Sequence, residues 1–281
     1  MRKAGWVGVG VLAVAASGAG ADDWSHQYTV KGRPELRLTT DDGSVRVEAG
    51  TAGQIEAQVT TEGWKIAPGE LTVTESQTGD RVAIEVRLPP HNGFFREGHR
   101  SVKLLVRLPP EANLDVRTGD GSVNVEPISG RISITTGDGS ITVAGLHGDI
   151  RLHTGDGSIR ATGLEGRLRA DTGDGHMNVR GRFEGLALRT GDGSIDAEVE
   201  RGSKVAEAWS LASGDGGINL RIPDDLGAEL DARAGDGKIV LDAPVTVTGT
   251  ISESAVRGTL AGGGGPLRLH TGDGSIHLQR L

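Results

Sequence analysis

The stretch "TTGDGSITVAGLHGDIRLHTGDGSIR" occupies residues 135–160 and contains the phrase TGDGS twice, beginning at Thr136 and at Thr154. The same unit places an aspartate at Asp120, Asp138, Asp156, Asp174 and Asp192, at a constant interval of 18. Looser copies hold Asp215 ("SGDGGI"), Asp236 ("AGDGKI") and Asp273 ("TGDGSI"), after gaps of 23, 21 and 37. An early copy, "TDDGSV", holds Asp42. The gap of 37 is near twice the period and predicts a coil without the motif between Asp236 and Asp273. A fixed period of this size is the signature of stacked structural repeats.

The columns of the repeat give its local structure. Before the motif stand Leu114 and Val116, Ile132 and Ile134, Ile150 and Leu152, Leu168 and Ala170, Leu186 and Leu188. After it stand Val123 and Val125, Ile141 and Val143, Ile159 and Ala161, Met177 and Val179, Ile195 and Ala197. Polar residues separate the members of each pair, the alternation of a half-buried strand. β-Branched residues are frequent among them, as strands prefer. A further apolar residue closes the unit at Ile128, Leu146, Leu164 and, shifted by one place, Phe183. Glycine follows at Gly130, Gly148, Gly166 and Gly185, where a second turn is expected.

Each unit therefore reads as strand, GDG turn, strand, second turn. The turn glycines are Gly119 and Gly121, Gly137 and Gly139, Gly155 and Gly157, Gly173 and Gly175, Gly191 and Gly193. They are expected to permit positive φ beside the aspartate, whose side chain would bond amides of its own turn. One such unit cannot bury its apolar face alone, whereas stacked units share backbone hydrogen bonds and a continuous core. The predicted fold is all-β: a single-domain parallel β-solenoid with 18-residue coils and irregular N-terminal capping strands. An antiparallel sandwich has no reason to keep the count, and a triangular hexapeptide helix would spread its apolar positions over three equal sixths.

Composition agrees with a turn-rich protein with a thin core. There are 46 glycines, 3 % aromatic residues and no cysteine, while 36 % hydrophobic content argues against disorder. Net charge is −8, and loss of Arg2 and Lys3 with a leader would make it more negative. Such a surface attracts neither nucleic acid nor anionic lipid, and neither is expected as a partner.

Three segments are expected: 1–21 a signal peptide, 22–112 irregular β coils forming an N-terminal cap, and 113–281 the repetitive solenoid. Arg2 and Lys3, the apolar "AGWVGVGVLAVAASG" and the small residues Ala19 and Ala21 form the leader pattern. It is too short and too glycine-rich for a membrane span. The mature protein is expected to be extracytoplasmic, periplasmic or secreted, with no span after cleavage. Residues 22–112 alternate like strands ("ELRLTT", "RVAIEVRLPP", "SVKLLVRLPP") but read as out of register with the repeat, with a hairpin inserted. Within "HNGFFREGH" (91–99), Phe94 and Phe95 form a possible contact loop, against the plainer reading that they pack over the end of the core.

Few patterns carry chemistry. The column Asp120, Asp138, Asp156, Asp174, Asp192 is a candidate calcium ladder or, more simply, a solvated row of turn residues. Calcium rolls carry G-G-x-G-x-D twice per coil, and here there is one aspartate per coil. An EF-hand fails because Gly145 stands where Glu is needed. "DTGDG" at 171–175 imitates an aspartic-protease signature but lacks a second, matched half. The eight histidines include no HExxH spacing. Gly262 to Gly265 precede Pro266 and a strand, not the helix start that a phosphate loop requires. Thr118, Thr136, Thr154, Thr172 and Thr190 are expected to end the first strand of each unit with the methyl inward. No metal and no cofactor is assigned.

"VRLPPEANLDVRTGDGSVNVE", the repeated "TGDGSI" and the closing "GTLAGGGGPLRLHTGDGSIHL" resemble the bacterial putative-adhesin family, over about residues 35–281. The resemblance implies a bacterial envelope or secreted protein with a repetitive β fold, and it brings no catalytic residues. The expected function is that of a non-enzymatic, adhesin-like structural or interaction protein whose partner is an envelope protein or glycan. The alternatives are a polysaccharide-binding or polysaccharide-processing β-helix and a calcium-stabilised β-roll. Against the enzyme stands the scatter of Trp24, Trp64, Trp209, Tyr28, Phe94, Phe95 and Phe183, which offers no aromatic platform beside paired carboxylates.

Overall fold

The computed structural model describes residues 21–89, 100–243, 245–247 and 252–281. The leader (1–20) and the Phe94–Phe95 loop lie outside the described residues. The described chain is all-β: strands, turns and bends, with no helix among them. Its 23 strands form one hydrogen-bonded network.

Two runs of strands lie on either side of the GDG corner. Strands that precede the motif pair with one another in parallel. Asn113–Thr118, Ser129–Thr136 and His147–Thr154 put Leu114, Ile132 and Ile150 in one row. Strands that follow the motif do likewise, with Val123, Ile141 and Ile159 in another row. The interval between paired positions is therefore 18 here, and equivalent apolar residues stack on one another. The burial pattern of Asn113–Thr118, alternating inward and outward, recurs along both runs. Leu114, Ile132, Ile141, Ile159 and Met177 are each at most 2 % exposed, in one continuous core.

The interval is not uniform. Between Ile159–Thr172 and Met177–Thr190 the register slips, with Leu164 opposite Gly181 and Gly166 opposite Phe183, and it recovers at Arg167 opposite Gly185. The first strand carries an extra residue between Ala161 and Leu164 and the second carries Glu184, so the two offsets cancel and Phe183 lies opposite Gly166, two places from the partner of Leu164. The next coil carries a longer excursion, so Leu188 pairs with Leu211 and the interval grows to 23. Trp209 fills the widened core there, edge-on to Phe183 at 6.5 Å between ring centroids. Its indole N–H donates to the Glu184 carbonyl at 3.3 Å.

Both ends depart from chain order. Residues 35–49 are in register with the repeat, contrary to the sequence reading: Leu36 pairs with Leu114 and Val45 with Val123. The same two strands pair on their other side with Arg81–Arg87 and Ser101–Leu108. Antiparallel partners follow at the end of each run, Thr72–Thr78 on one and Gln54–Glu62 then Ala21–Thr29 on the other.

At the opposite end there is no motif-free coil among the described residues between Asp236 and Asp273. Pro266–Thr271 inserts between Trp209–Ser213 and Ala228–Ala234, parallel to both. Ile276–Arg280 inserts likewise between Ile218–Ile222 and Ile239–Leu241. The long gap holds instead an antiparallel pair, Val245–Val247 with Ala255–Leu260, laid against Ala228–Ala234. The chain overshoots, turns back and closes a slot that it had left open.

Candidate functional site

The GDG corners are the most regular feature of the surface. Each stacks directly on the one before: the Gly155 amide donates to the Gly137 carbonyl at 2.5 Å, and the Gly191 amide to Gly173 at 2.5 Å. The Gly173 amide bonds the Gly155 carbonyl in the same way. This proximity, not backbone handedness, explains the glycines. Gly119, Gly121, Gly137, Gly139 and their equivalents through Gly193 do not have the positive φ expected of them. A Cβ on Gly139 would lie 2.2 Å from the Gly121 carbonyl oxygen, and one on Gly157 2.1 Å from that of Gly139. Positive φ occurs instead at the other turn, at Gly145 (φ 65°) and Gly163 (φ 63°), just before the apolar Leu146 and Leu164, and among the motif copies at Gly43 of the early one (φ 121°).

The threonine of the motif holds the corner. Thr136, Thr154, Thr172 and Thr190 are buried. Their hydroxyls donate to the second-glycine carbonyl of the preceding coil, at 3.0 Å to Gly121, 2.8 Å to Gly139, 2.9 Å to Gly157 and 3.0 Å to Gly175. Thr154 Oγ1 also accepts from the Gly157 amide at 3.2 Å, within its own turn. Ser213 and Thr271 repeat the bond at 2.8 and 2.7 Å. The sequence pattern predicts only the inward methyl. The role of the hydroxyl is legible at Ser213, a substitute in the column that keeps the hydroxyl and loses the methyl. Thr118 is the exception: its buried Oγ1 has no partner among the described residues, and the coil below it carries Asp41 where later coils have glycine.

The aspartates Asp120, Asp138, Asp156, Asp174 and Asp192 are exposed along this corner. Among the described residues only Asp42 of the motif aspartates accepts an amide bond from its own turn, from Gly43 at 2.7 Å. The expected Asx bond is thus replaced by the threonine bond in the regular coils. No cluster of three or more His, Cys, Asp or Glu able to hold a metal occurs among the described residues.

The described aromatic residues are engaged in packing. Trp209, Phe183 and Tyr28 are buried, and Trp24 and Trp64 are partly buried against the core, Trp64 beneath the Arg100 guanidinium at 4.3 Å. Trp24, His26 and Tyr28 project from one face of Ala21–Thr29, and His26 lies 4.5 Å from Tyr28 between ring centroids. Tyr28 donates to Glu75 Oε2, and His26 Nδ1 lies 3.4 Å from Glu75 Oε1. This contact joins the last strand of one run to the last strand of the other and covers the end of the core. Burial pushes the Tyr28 phenol well above its ordinary value, and the hydrogen bond to and charge of Glu75 push it further. No helix among the described residues is long and apolar enough to cross a membrane.

No curated protein matches the chain. Among solved structures, a "putative lipid binding protein" of Parabacteroides distasonis is similar in fold, with 14 % identity and a TM-score of 0.52, covering 91 % of this chain and 96 % of that one. A "putative adhesin" of Bacteroides fragilis aligns with 10 % identity and a TM-score of 0.41, covering 92 % and 97 %. The model of the family described as Toastrack DUF4097 matches residues 34–279, nearly the whole described chain. The protein belongs to the Toastrack DUF4097 family.

Proposed function

We propose that this protein is a non-enzymatic, adhesin-like interaction protein of the bacterial envelope, exported by its leader and built as a single β-solenoid. The observation that carries the reading is the register. Parallel rows such as Leu114–Ile132–Ile150 fix the outward residues between them at a constant spacing, so the protein presents long, ordered polar surfaces. Function in such a scaffold lies in what those surfaces display. An envelope protein or glycan is the partner that this presentation suits.

The test combines a glycan array, a hydrolysis assay and fractionation of cells expressing the full chain. Binding without turnover, in an extracytoplasmic fraction and with residues 1–21 removed, is expected. Turnover of any bound glycan, or retention of the uncleaved chain in the cytoplasm, overturns the proposal.

A further inference from the structure

On the face formed by strands preceding the motif, small side chains interrupt the long outward ones beside the inserted strand Pro266–Thr271. Reading across the strands, the outward rows run Arg169, Ala187, Ser210, Arg268 and Asp171, Arg189, Ala212, His270. Two neighbouring strands thus present small side chains where their neighbours present arginine, aspartate or histidine. The result is a surface hollow of about 630 Å³. Ala187, Ser210 and Ala212 form its floor, and Arg169, Arg189 and His270 stand round it. Strands in a sheet lie about 4.8 Å apart, so Arg189 and His270 are on the order of 10 Å apart across the floor.

The charges round the hollow are unbalanced. Arg169 is paired with Asp171 at 3.1 Å. Among the described residues, neither Arg189 nor Arg268, which flanks Ser210, has a carboxylate within 4.0 Å, although most other arginines of this face do. In a protein of net charge −8, cations left free beside an open floor mark a place for an anion. At one end the hollow meets the corner glycines Gly191, Gly214 and Gly272, whose motif neighbours are the exposed Asp192, Asp215 and Asp273. That acidic rim repels a densely charged polymer and tolerates one whose charges are spaced along a neutral, hydroxyl-rich backbone.

We infer that the hollow binds a carboxylated sugar unit of an acidic polysaccharide. The Arg189 fork takes the carboxylate, a planar match that guanidinium makes well. Ser210 and Asp171 face the sugar hydroxyls. No Trp, Tyr or Phe lines the hollow among the described residues, so recognition is by charge and hydrogen bonding. The inference rests on the interaction-protein reading above and supplies its ligand class.

The test uses the purified full chain at low ionic strength, with polygalacturonate as probe, dextran as the uncharged control and polyphosphate as the dense polyanion. Two variants are compared by affinity electrophoresis: Arg189→Gln with His270→Gln, which removes charge, and Ala187→Leu with Ala212→Leu, which fills the floor and keeps the charge. All four positions are at the surface, and thermal melts check that the fold is kept. Wild type is expected to prefer polygalacturonate over both other polymers, and each variant to bind it at least tenfold more weakly. Absence of binding, a preference for polyphosphate, or wild-type affinity in both variants overturns the inference. Polygalacturonate binding that survives both variants removes this site but leaves the interaction-protein reading intact. Cleavage of the polymer overturns that reading, whatever the variants do.

Discussion

A hydroxyl buried at every coil is a stability device that the structure makes testable. Thr154 gives one hydrogen bond to the coil before it and receives one within its own turn. Replacing it by valine keeps the shape and leaves the Gly139 carbonyl and the Gly157 amide short of a partner, a loss of about 1–3 kcal/mol. Thr118 sits in the same column and buries a hydroxyl that bonds nothing among the described residues. Thr118→Val removes only the cost of burying that hydroxyl. Urea unfolding is therefore expected to show Thr154→Val destabilised and Thr118→Val equal to or above wild type. Equal losses at the two sites would mean that the hydroxyl ladder is not what holds the corner. Tyr28 offers a second test, because it is the sole tyrosine of the chain. Its phenol is held neutral in the folded protein above the ordinary value of 10.0. Stability from this group is complete below that value and falls as pH rises past it, since the unfolded chain then releases a proton that the native chain retains. Phenolate absorbance is expected to be absent from the native protein at about pH 11 and present on unfolding, and Tyr28→Phe should flatten the loss of stability above about pH 10.

Among the strands, the end ones carry the most structural information, because they are where chain order and spatial order part. Pro266–Thr271 and Ile276–Arg280 are hydrogen-bonded on both sides. Removing residues 262–281 therefore does not shorten the stack by one coil. It opens a slot inside it, exposing Leu211, Leu220, Leu230 and Ala232 together, all of which are buried in the intact protein. Loss of this segment is expected to abolish cooperative unfolding of the C-terminal part or to yield insoluble protein. A truncated chain that unfolds with an unchanged midpoint would show that the slot closes without it. This insertion is illegible in the sequence for a definite reason. Spacing between Asp236 and Asp273 measures how much chain intervenes, not on which side the returning strand lies. The regular coils are legible because side chains alternate along a strand and the coil closes at a fixed count, so Ile132, Ile150 and Leu168 fall into a column on the letters alone. The early coil at 35–49 is legible in its motif but not in its pairing, since the intervening strands between Ala49 and Asn113 hide the register. The hollow at Ala187, Ser210 and Ala212 is hidden for a related reason. Its small residues come from strands on either side of the long excursion, and its far wall, His270, comes from the inserted strand.

At the scale of the whole molecule, stacking repeats also stacks charge. Identical coils bring like residues into rows, and on the GDG corner the row is exposed aspartate, from Asp120 through Asp138 and Asp156 to Asp192. Two unit charges about 4.8 Å apart repel by about 0.9 kcal/mol in water, and each inner aspartate has a neighbour above and below. Folding assembles this row and unfolding disperses it, so the row opposes the stack that the core and the corner bonds maintain. Screening weakens such repulsion, because the Debye length falls from about 30 Å at 0.01 M to about 3 Å at 1 M salt. The melting midpoint is therefore expected to rise with sodium chloride, and Asp156→Asn to raise it at low salt while shrinking the salt effect. Calcium separates this account from a metal-bridged roll. No metal-holding cluster exists among the described residues, and calcium is expected to act only through ionic strength, matching magnesium at equal concentration. A midpoint that climbs at micromolar calcium and falls back on chelation would turn the corner from a row of repelling charges into a row of ligands, and would make the glycine spacing around it a matter of coordination as well as of close approach.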